Sequence, residues 1–223
     1  MRSRHGIAMD RRLLLVLGST SFALSACGVD KLLGPPAAPQ LYVLKPVMPA
    51  SDPGPKVAWA LAIDLPEAPQ NLDSDRIAIS RSANTQDYFA NAAWPDQLPA
   101  MIQGSLVSAF EASGRIDQVV RDTEGVRTDY LLKIDVRDFE ARYDQPDGAP
   151  TAVVAFQAIL VDLKDRNLAA HLLVRKESAA TQNSVDASVE AMDRALGAAL
   201  ADIVHWTLAT LRPAFPSKGR VGG

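Results

Sequence analysis

The chain contains one thiol, Cys27, and its neighbours suit it to one modification. Leu24-Ser25-Ala26 directly precede it, behind an apolar run from Leu13-Leu14-Leu15-Val16-Leu17 to Phe22-Ala23-Leu24 that follows Arg11 and Arg12. Ser25 and Ala26 are small enough to enter a peptidase pocket, and the Cys27 thiol can be thioether-linked to diacylglycerol before cleavage. The arginines hold their end on the cytoplasmic side, while an apolar run of roughly a dozen residues is too short for a permanent span. Leu24, Ser25 and Ala26 therefore read as a lipobox, residues 1–26 as a lipoprotein signal peptide and Cys27 as the lipidated first residue of an exported protein. The alternatives are an ordinary signal peptide with a chance cysteine, or an uncleaved anchor helix. Met9 offers a second start beside Met1.

Other groups capable of chemistry are sparse. Beyond the leader the histidines are His171, in a strand pattern, and His205, beside Trp206 on the last helix, and their spacing is not that of a metal pair. No Gly-x-Ser-x-Gly elbow and no glycine-lysine phosphate loop is present, so neither a hydrolase nor an ATPase is expected, nor any metal or cofactor. Asp135, Asp138, Glu140, Asp144 and Asp147 form an acidic stretch. A general-acid pair or a calcium site is conceivable there, but a solvated strand face is the plainer reading. Three aromatics are candidate partner contacts. Trp94 is either an exposed anchor or a hydrophobic lock packing against Leu98 at the start of a helix. Tyr88 and Phe89 alternate in direction on a strand, so at most one is expected to face the core and the other is free for lipid or protein.

Without residues 1–26 the chain keeps 197 residues, 19 basic and 25 acidic, a formal charge of −6. That length fits one domain, and that charge argues against nucleic acid. With no second cysteine there is no disulfide, and membrane attachment falls to the acyl chains; two or three chains anchor stably where one does not. Gly28 stands where aspartate favours inner-membrane retention in Gram-negative lipoproteins, so the outer membrane, facing the periplasm, is the default.

These groups must be carried by a small set of elements. Residues 27–40 read as the lipidated cysteine and a proline-rich tether, with Gly34-Pro35-Pro36-Ala37-Ala38-Pro39 extended. The folded domain is expected over 41–213 and a disordered tail over 214–223. Leu41-Tyr42-Val43-Leu44 predicts a short strand. Lys56–Asp64, apolar almost throughout, predicts a strand buried on both faces and closed by Pro66. Arg76–Arg81 and Thr85–Ala90 predict a hairpin. Leu98, Ile102, Leu106 and Phe110 predict an amphipathic helix over 96–113, stopped by Gly114, with Asp96 at the positive end of its dipole. Arg115–Val120 predicts a strand, and Asp129–Tyr143, Ala149–Asp165 and Leu168–Ser178 an antiparallel three-stranded meander turned at Gln145-Pro146-Asp147-Gly148 and Lys164-Asp165-Arg166-Asn167. Val185, Val189, Met192, Leu196, Leu200, Ile203 and Leu208 predict a closing helix over 184–211, ended by Pro213. The implied fold is a single α/β (α+β) domain: a mixed β-sheet with two main amphipathic helices packed on it and an antiparallel three-stranded meander.

The succession Leu41-Tyr42-Val43-Leu44, Ala62-Ile63-Asp64-Leu65-Pro66 with Leu72-Asp73-Ser74-Asp75-Arg76-Ile77, and Trp94-Pro95-Asp96-Gln97-Leu98-Pro99 before a helix ending Glu111-Ala112-Ser113-Gly114-Arg115 resembles the ABC-type transport auxiliary lipoprotein family, whose best-known branch is the paraquat-inducible protein C type. The resemblance covers roughly residues 40–210. It departs at Ala68-Pro69-Gln70-Asn71-Leu72, where the family more often has an aromatic residue. It implies a non-catalytic, lipid-anchored partner of a mammalian-cell-entry (MCE) protein, linked through it to an inner-membrane permease and a cytoplasmic ATPase. The implied task is docking a lipid transport system to the outer membrane. A structural assembly lipoprotein of another outer-membrane machine is the runner-up, a periplasmic hydrolase is a distant third, and a homo-oligomer is left open.

Overall fold

Eight strands and two long helices follow one another in the anticipated order, in a computed structural model that describes residues 38–48, 54–82 and 84–211. They are β1 (Gln40–Leu41), β2 (Leu61–Ile63), β3 (Arg76–Ser82), β4 (Thr85–Ala93), α1 (Leu98–Ala112), β5 (Val119–Arg121), β6 (Tyr130–Arg142), β7 (Thr151–Asp162), β8 (Asn167–Ala179) and α2 (Val185–Thr210). A 3₁₀ turn, Asp122–Glu124, follows β5. The signal peptide with its lipobox, Cys27, nearly all of the tether, Pro213 and the tail lie outside the described residues.

The strands make one open mixed sheet that forks at β6. On one side β6 pairs antiparallel with β7, and β7 with β8, giving the meander. The other side is shared by two shorter strands. β2 runs parallel beside Tyr130–Leu132, β3 runs parallel beside Ala141–Arg142, and an isolated bridge joins Glu67 to Asp135 between them. β5 lies parallel outside β2; β4 lies antiparallel outside β3, with β1 parallel beyond it. β2, covered by strands on both sides and buried at all three positions, is the near-continuous apolar strand expected of a parallel interior. It is shorter than the predicted Lys56–Asp64, because Val57 makes only an isolated bridge to Ile116. β5 is likewise confined to Val119–Arg121.

Leu132, Ile134, Val136, Phe139 and Ala141 of β6 and Ala152, Val154, Phe156, Ala158 and Leu160 of β7 enter the core. The two-residue alternation in β6 breaks between Val136 and Phe139. A β-bulge at Arg137 absorbs the extra residue, so Phe139 and Ala141 return to the core side. Without it, one slipped residue would turn Asp138 and Glu140 inward.

α2 packs mainly on β7 and β8; α1 packs on β5, β2 and α2. Ser184 caps α2 by accepting the Ala187 N–H at 3.2 Å. The row Ala187, Ala191, Ala195, Ala199 is buried, and its small side chains let the helix lie close to its neighbours. α1 begins two residues later than predicted, with Gln97 as an N-cap that makes no side-chain bond and Pro99 in the first turn. Asp96 lies ahead of the helix and its carboxylate accepts the Gln97 N–H at 2.7 Å. Gly114, at φ 67°, ends α1 as predicted.

The first strand departs most from expectation. Only Gln40–Leu41 pairs with β4, extended by the Tyr42 N–H to the Ala93 carbonyl at 2.9 Å, and the chain then leaves the sheet as a strap along α2. Leu44 and Pro46 turn inward and are buried. The Asp193 carboxylate accepts the Lys45 N–H at 2.7 Å. Gly197 presents no side chain, and a Cβ there would stand 2.7 Å from the Val47 carbonyl oxygen.

Candidate functional site

Pairing places alternate residues of the meander on the face away from the core, and the acidic stretch lies largely there. Each carboxylate that projects from it already has a partner. Asp135 pairs with Arg137 at 2.6 Å, Asp138 with Arg175, and Asp144 with Arg142 at 3.2 Å. Glu140 accepts the Ser80 hydroxyl at 2.7 Å. Arg142 also grips both oxygens of Glu177 at 3.1 and 3.2 Å. Hydrogen bonding from Arg142, ahead of the opposing effect of burial, holds the Glu177 carboxyl below its ordinary range. Asp147 sits in the exposed turn between β6 and β7. Where β3, β4 and β6 meet, Asp138, Glu140, Arg142 and Asp144 line a polar cleft of about 530 Å³ with Ser80, Thr85 and Gln86. Its carboxylates are committed to arginine or serine, which makes a surface lattice of ion pairs rather than a convergent acid pair. Among the described residues no group of three or more His, Cys, Asp or Glu side chains is placed to hold a metal ion.

The candidate aromatics are separated by burial. Trp94 is 2% exposed and packs edge-on against Phe139, with ring centroids 6.2 Å apart. Its ring fills the core at the approach to α1, leaving no face for a partner, and the Trp94 backbone N–H donates to the Asp75 carbonyl at 2.7 Å. Tyr88 is half-buried; the Arg76 guanidinium lies 3.5 Å from its ring centroid and its hydroxyl donates to the Asn71 carbonyl at 3.0 Å. Phe89 is also half-buried and packed against the core, so both neighbours contact it rather than at most one. The cause is irregularity in β4: the five-residue step from Tyr88 to Ala93 opposes the two-residue step from Ala78 to Arg76, and Asn91 takes φ 54°. Asp75 and Arg76 thus brace this corner. His171 is exposed on the outer face of β8 and His205 is exposed on α2, far apart in the chain and on different elements.

Two surface features escaped the sequence. One is the free edge of β8. Its Arg175-Lys176-Glu177 half is charged, and Arg194 donates to the Ala179 carbonyl at 2.8 Å, while Leu168–Val174 contains no Asp, Glu, Lys or Arg. The other is the strap, whose eight-residue stretch Leu41-Tyr42-Val43-Leu44-Lys45-Pro46-Val47-Met48 is apolar at all but one position, so the sequence cannot say which side chains turn out. Trp59 was also unassigned: its indole donates to the Leu211 carbonyl at 3.0 Å and meets Tyr130 edge-on, pinning the C-terminal end of α2. No helix among the described residues is long and apolar enough to cross a membrane.

A family model described as ABC-type transport auxiliary lipoprotein component matches residues 42–204. An uncharacterized protein of Bradyrhizobium diazoefficiens is 26% identical over 183 residues, covering 81% of this chain and 48% of its own length, so the chain spans about half of that relative. A crystal structure of a Xanthomonas campestris protein is 29% identical, covers 77% of this chain and 96% of its own, and superposes with a TM-score of 0.70. A second crystal structure, of an uncharacterized protein, is 16% identical over 76% of this chain and 99% of its own, with a TM-score of 0.60, and shares the fold.

Proposed function

We propose that this chain, which belongs to the family of ABC-type transport auxiliary lipoprotein components, is the lipid-anchored periplasmic subunit that docks an MCE-type lipid transport system to the outer membrane. The observation that carries the reading is the family match over residues 42–204, lying downstream of a lipobox cysteine. The family is an auxiliary of a transporter, non-catalytic in kind. In this reading the chain performs no chemistry of its own: Cys27 carries the acyl chains, the tether links them to the sheet domain, and the domain holds the MCE-domain protein. The permease and ATPase are reached through that protein. The commitment of the projecting carboxylates to arginine or serine and the separation of the two histidines agree with a binding role.

Crosslinking in intact membranes followed by capture of the lipidated protein tests it. Recovery of an MCE-domain protein is the expected result, and repeated capture of a different outer-membrane assembly would replace this reading with that of a structural lipoprotein. Cys27→Ser should leave the domain folded, by circular dichroism, and release it from the membrane. Lipid transport continuing unchanged in that variant would show that anchoring is not its task.

A further inference from the structure

Seven large apolar side chains are well exposed among the described residues, and three of them fall within seven consecutive positions: Leu41 at 60%, Val43 at 53% and Val47 at 77%. They form one row. Tyr42, Leu44, Pro46 and Met48 turn toward the domain, and the two-residue period of extended chain puts Leu41, Val43, Lys45 and Val47 on the opposite side. Nothing in the packing asks for this. The strap is held by Leu44, Pro46, the Lys45 N–H to Asp193 and the bare backbone of Gly197, so its outward positions could all be polar without loss to the fold. An apolar row carrying a single ammonium group is the chemistry of a membrane interface, with the aliphatic groups at the acyl boundary and the cation among phosphates. The chain's path points the same way. Ten residues separate Cys27 from Ala38, a reach of roughly 35–40 Å even when fully extended, and the row lies in the first described element after them.

We propose that Leu41, Val43 and Val47 rest on the lipid leaflet that holds the acyl chains of Cys27, with the Lys45 ammonium at the phosphate level. This rests on the anchoring role of Cys27 and adds a second membrane contact that fixes which side of the domain faces the bilayer. An acyl anchor by itself selects no face of the domain to meet the lipid. A resting row holds the β1 edge of the sheet toward the lipid.

The test separates the row from the anchor. The chain from residue 27 onward, carrying Cys27→Ser, is held by an N-terminal histidine tag on vesicles of phosphatidylethanolamine and phosphatidylglycerol containing a nickel-chelating lipid. An environment-sensitive fluorophore is placed through Val43→Cys, or through Leu173→Cys as the control on the far meander face. The expected result is blue-shifted emission at 43 that lipid-borne nitroxide quenches, with neither effect at 173. Equal quenching at the two positions overturns the proposal, and so does a blue shift at 43 that nitroxide leaves untouched, which would mean that protein covers the row. The triple variant Leu41→Ser, Val43→Ser, Val47→Ser should lower partition onto vesicles of low chelator content about tenfold, the size expected from withdrawing three partly buried apolar side chains; unchanged partition counts against the row. Mass spectrometry of Cys27 from native membranes tests the anchor by itself. An unmodified thiol ends the anchoring reading, while the tagged chain still decides the row.

Discussion

Gly197→Ala is expected to destabilise this protein, although glycine to alanine in a helix interior ordinarily stabilises. Alanine outranks glycine in α2 by about 1 kcal/mol. Against that gain, the new Cβ would stand 2.7 Å from the Val47 carbonyl oxygen and 3.2 Å from its nitrogen, both backbone atoms that no rotamer change can move. The strap must lift. Lifting breaks the hydrogen bond from the Lys45 N–H to the Asp193 carboxylate, worth about 1.5–3 kcal/mol for a charged acceptor, and re-exposes Leu44, worth about 1.5–3 kcal/mol if fully buried. Both groups lie near the surface, so the lower ends apply, about 3 kcal/mol together; after alanine's gain the net loss is about 2 kcal/mol. Urea denaturation gives that difference, and amide hydrogen exchange locates it. The Lys45 amide should lose protection well before the paired amides of β6 and β7, which open with the whole domain. A variant as stable as the parent, with the Lys45 amide still protected, would refute the account of the strap.

Trp94→Ala should cost about 3–5 kcal/mol in the same denaturation measurement, since a buried indole and its edge-on contact with Phe139 are both removed; a loss below about 1 kcal/mol would contradict the buried placement. Arg142→Ala should change stability at neutral pH by no more than about 1 kcal/mol, because its carboxylate partners are substantially exposed. Glu177 is held below its ordinary pKa mainly by Arg142, so its contribution is present above the ordinary carboxylate range and is lost as pH falls through the lowered value. The acid limb of the stability profile should therefore flatten in Arg142→Ala. Asp193 has the opposite sign. Burial first, against the Lys45 hydrogen bond, raises its pKa, so its charged form weighs against folding as pH rises through the raised value. Asp193→Asn should gain on the parent toward neutral pH and lose that advantage below the ordinary carboxylate range, as read from melting temperatures across that interval.

Much of the architecture was legible because it is local. The four-residue spacing of Leu98, Ile102, Leu106 and Phe110 requires a helix, and Ser184 and Gly114 mark ends through groups within a few residues of chain. The turns at 145–148 and 164–167 announce the meander in the same way. The bulge at Arg137 was also present in the sequence, as the phase break between Val136 and Phe139, though only pairing with Ala155 and Phe156 says that the strand continues through it. The irregular pairing of β4 left less trace, and with it went the exposure of Tyr88 and Phe89.

The sequence by itself determined the order of the elements, their periodicity and the chemistry expected of Cys27, because each is written in consecutive residues whose spacing or identity carries the signal. Tertiary structure decided which edge of β6 is shared by β2 and β3, that Trp94 lies inside, that Asp135, Asp138 and Asp144 of the acidic stretch are each paired with an arginine, and that Leu41, Val43 and Val47 face out. The physical reason is common to all four. Exposure and charge pairing belong to what lies opposite a side chain, and for the strap that is an aspartate and a glycine about 150 positions away on α2.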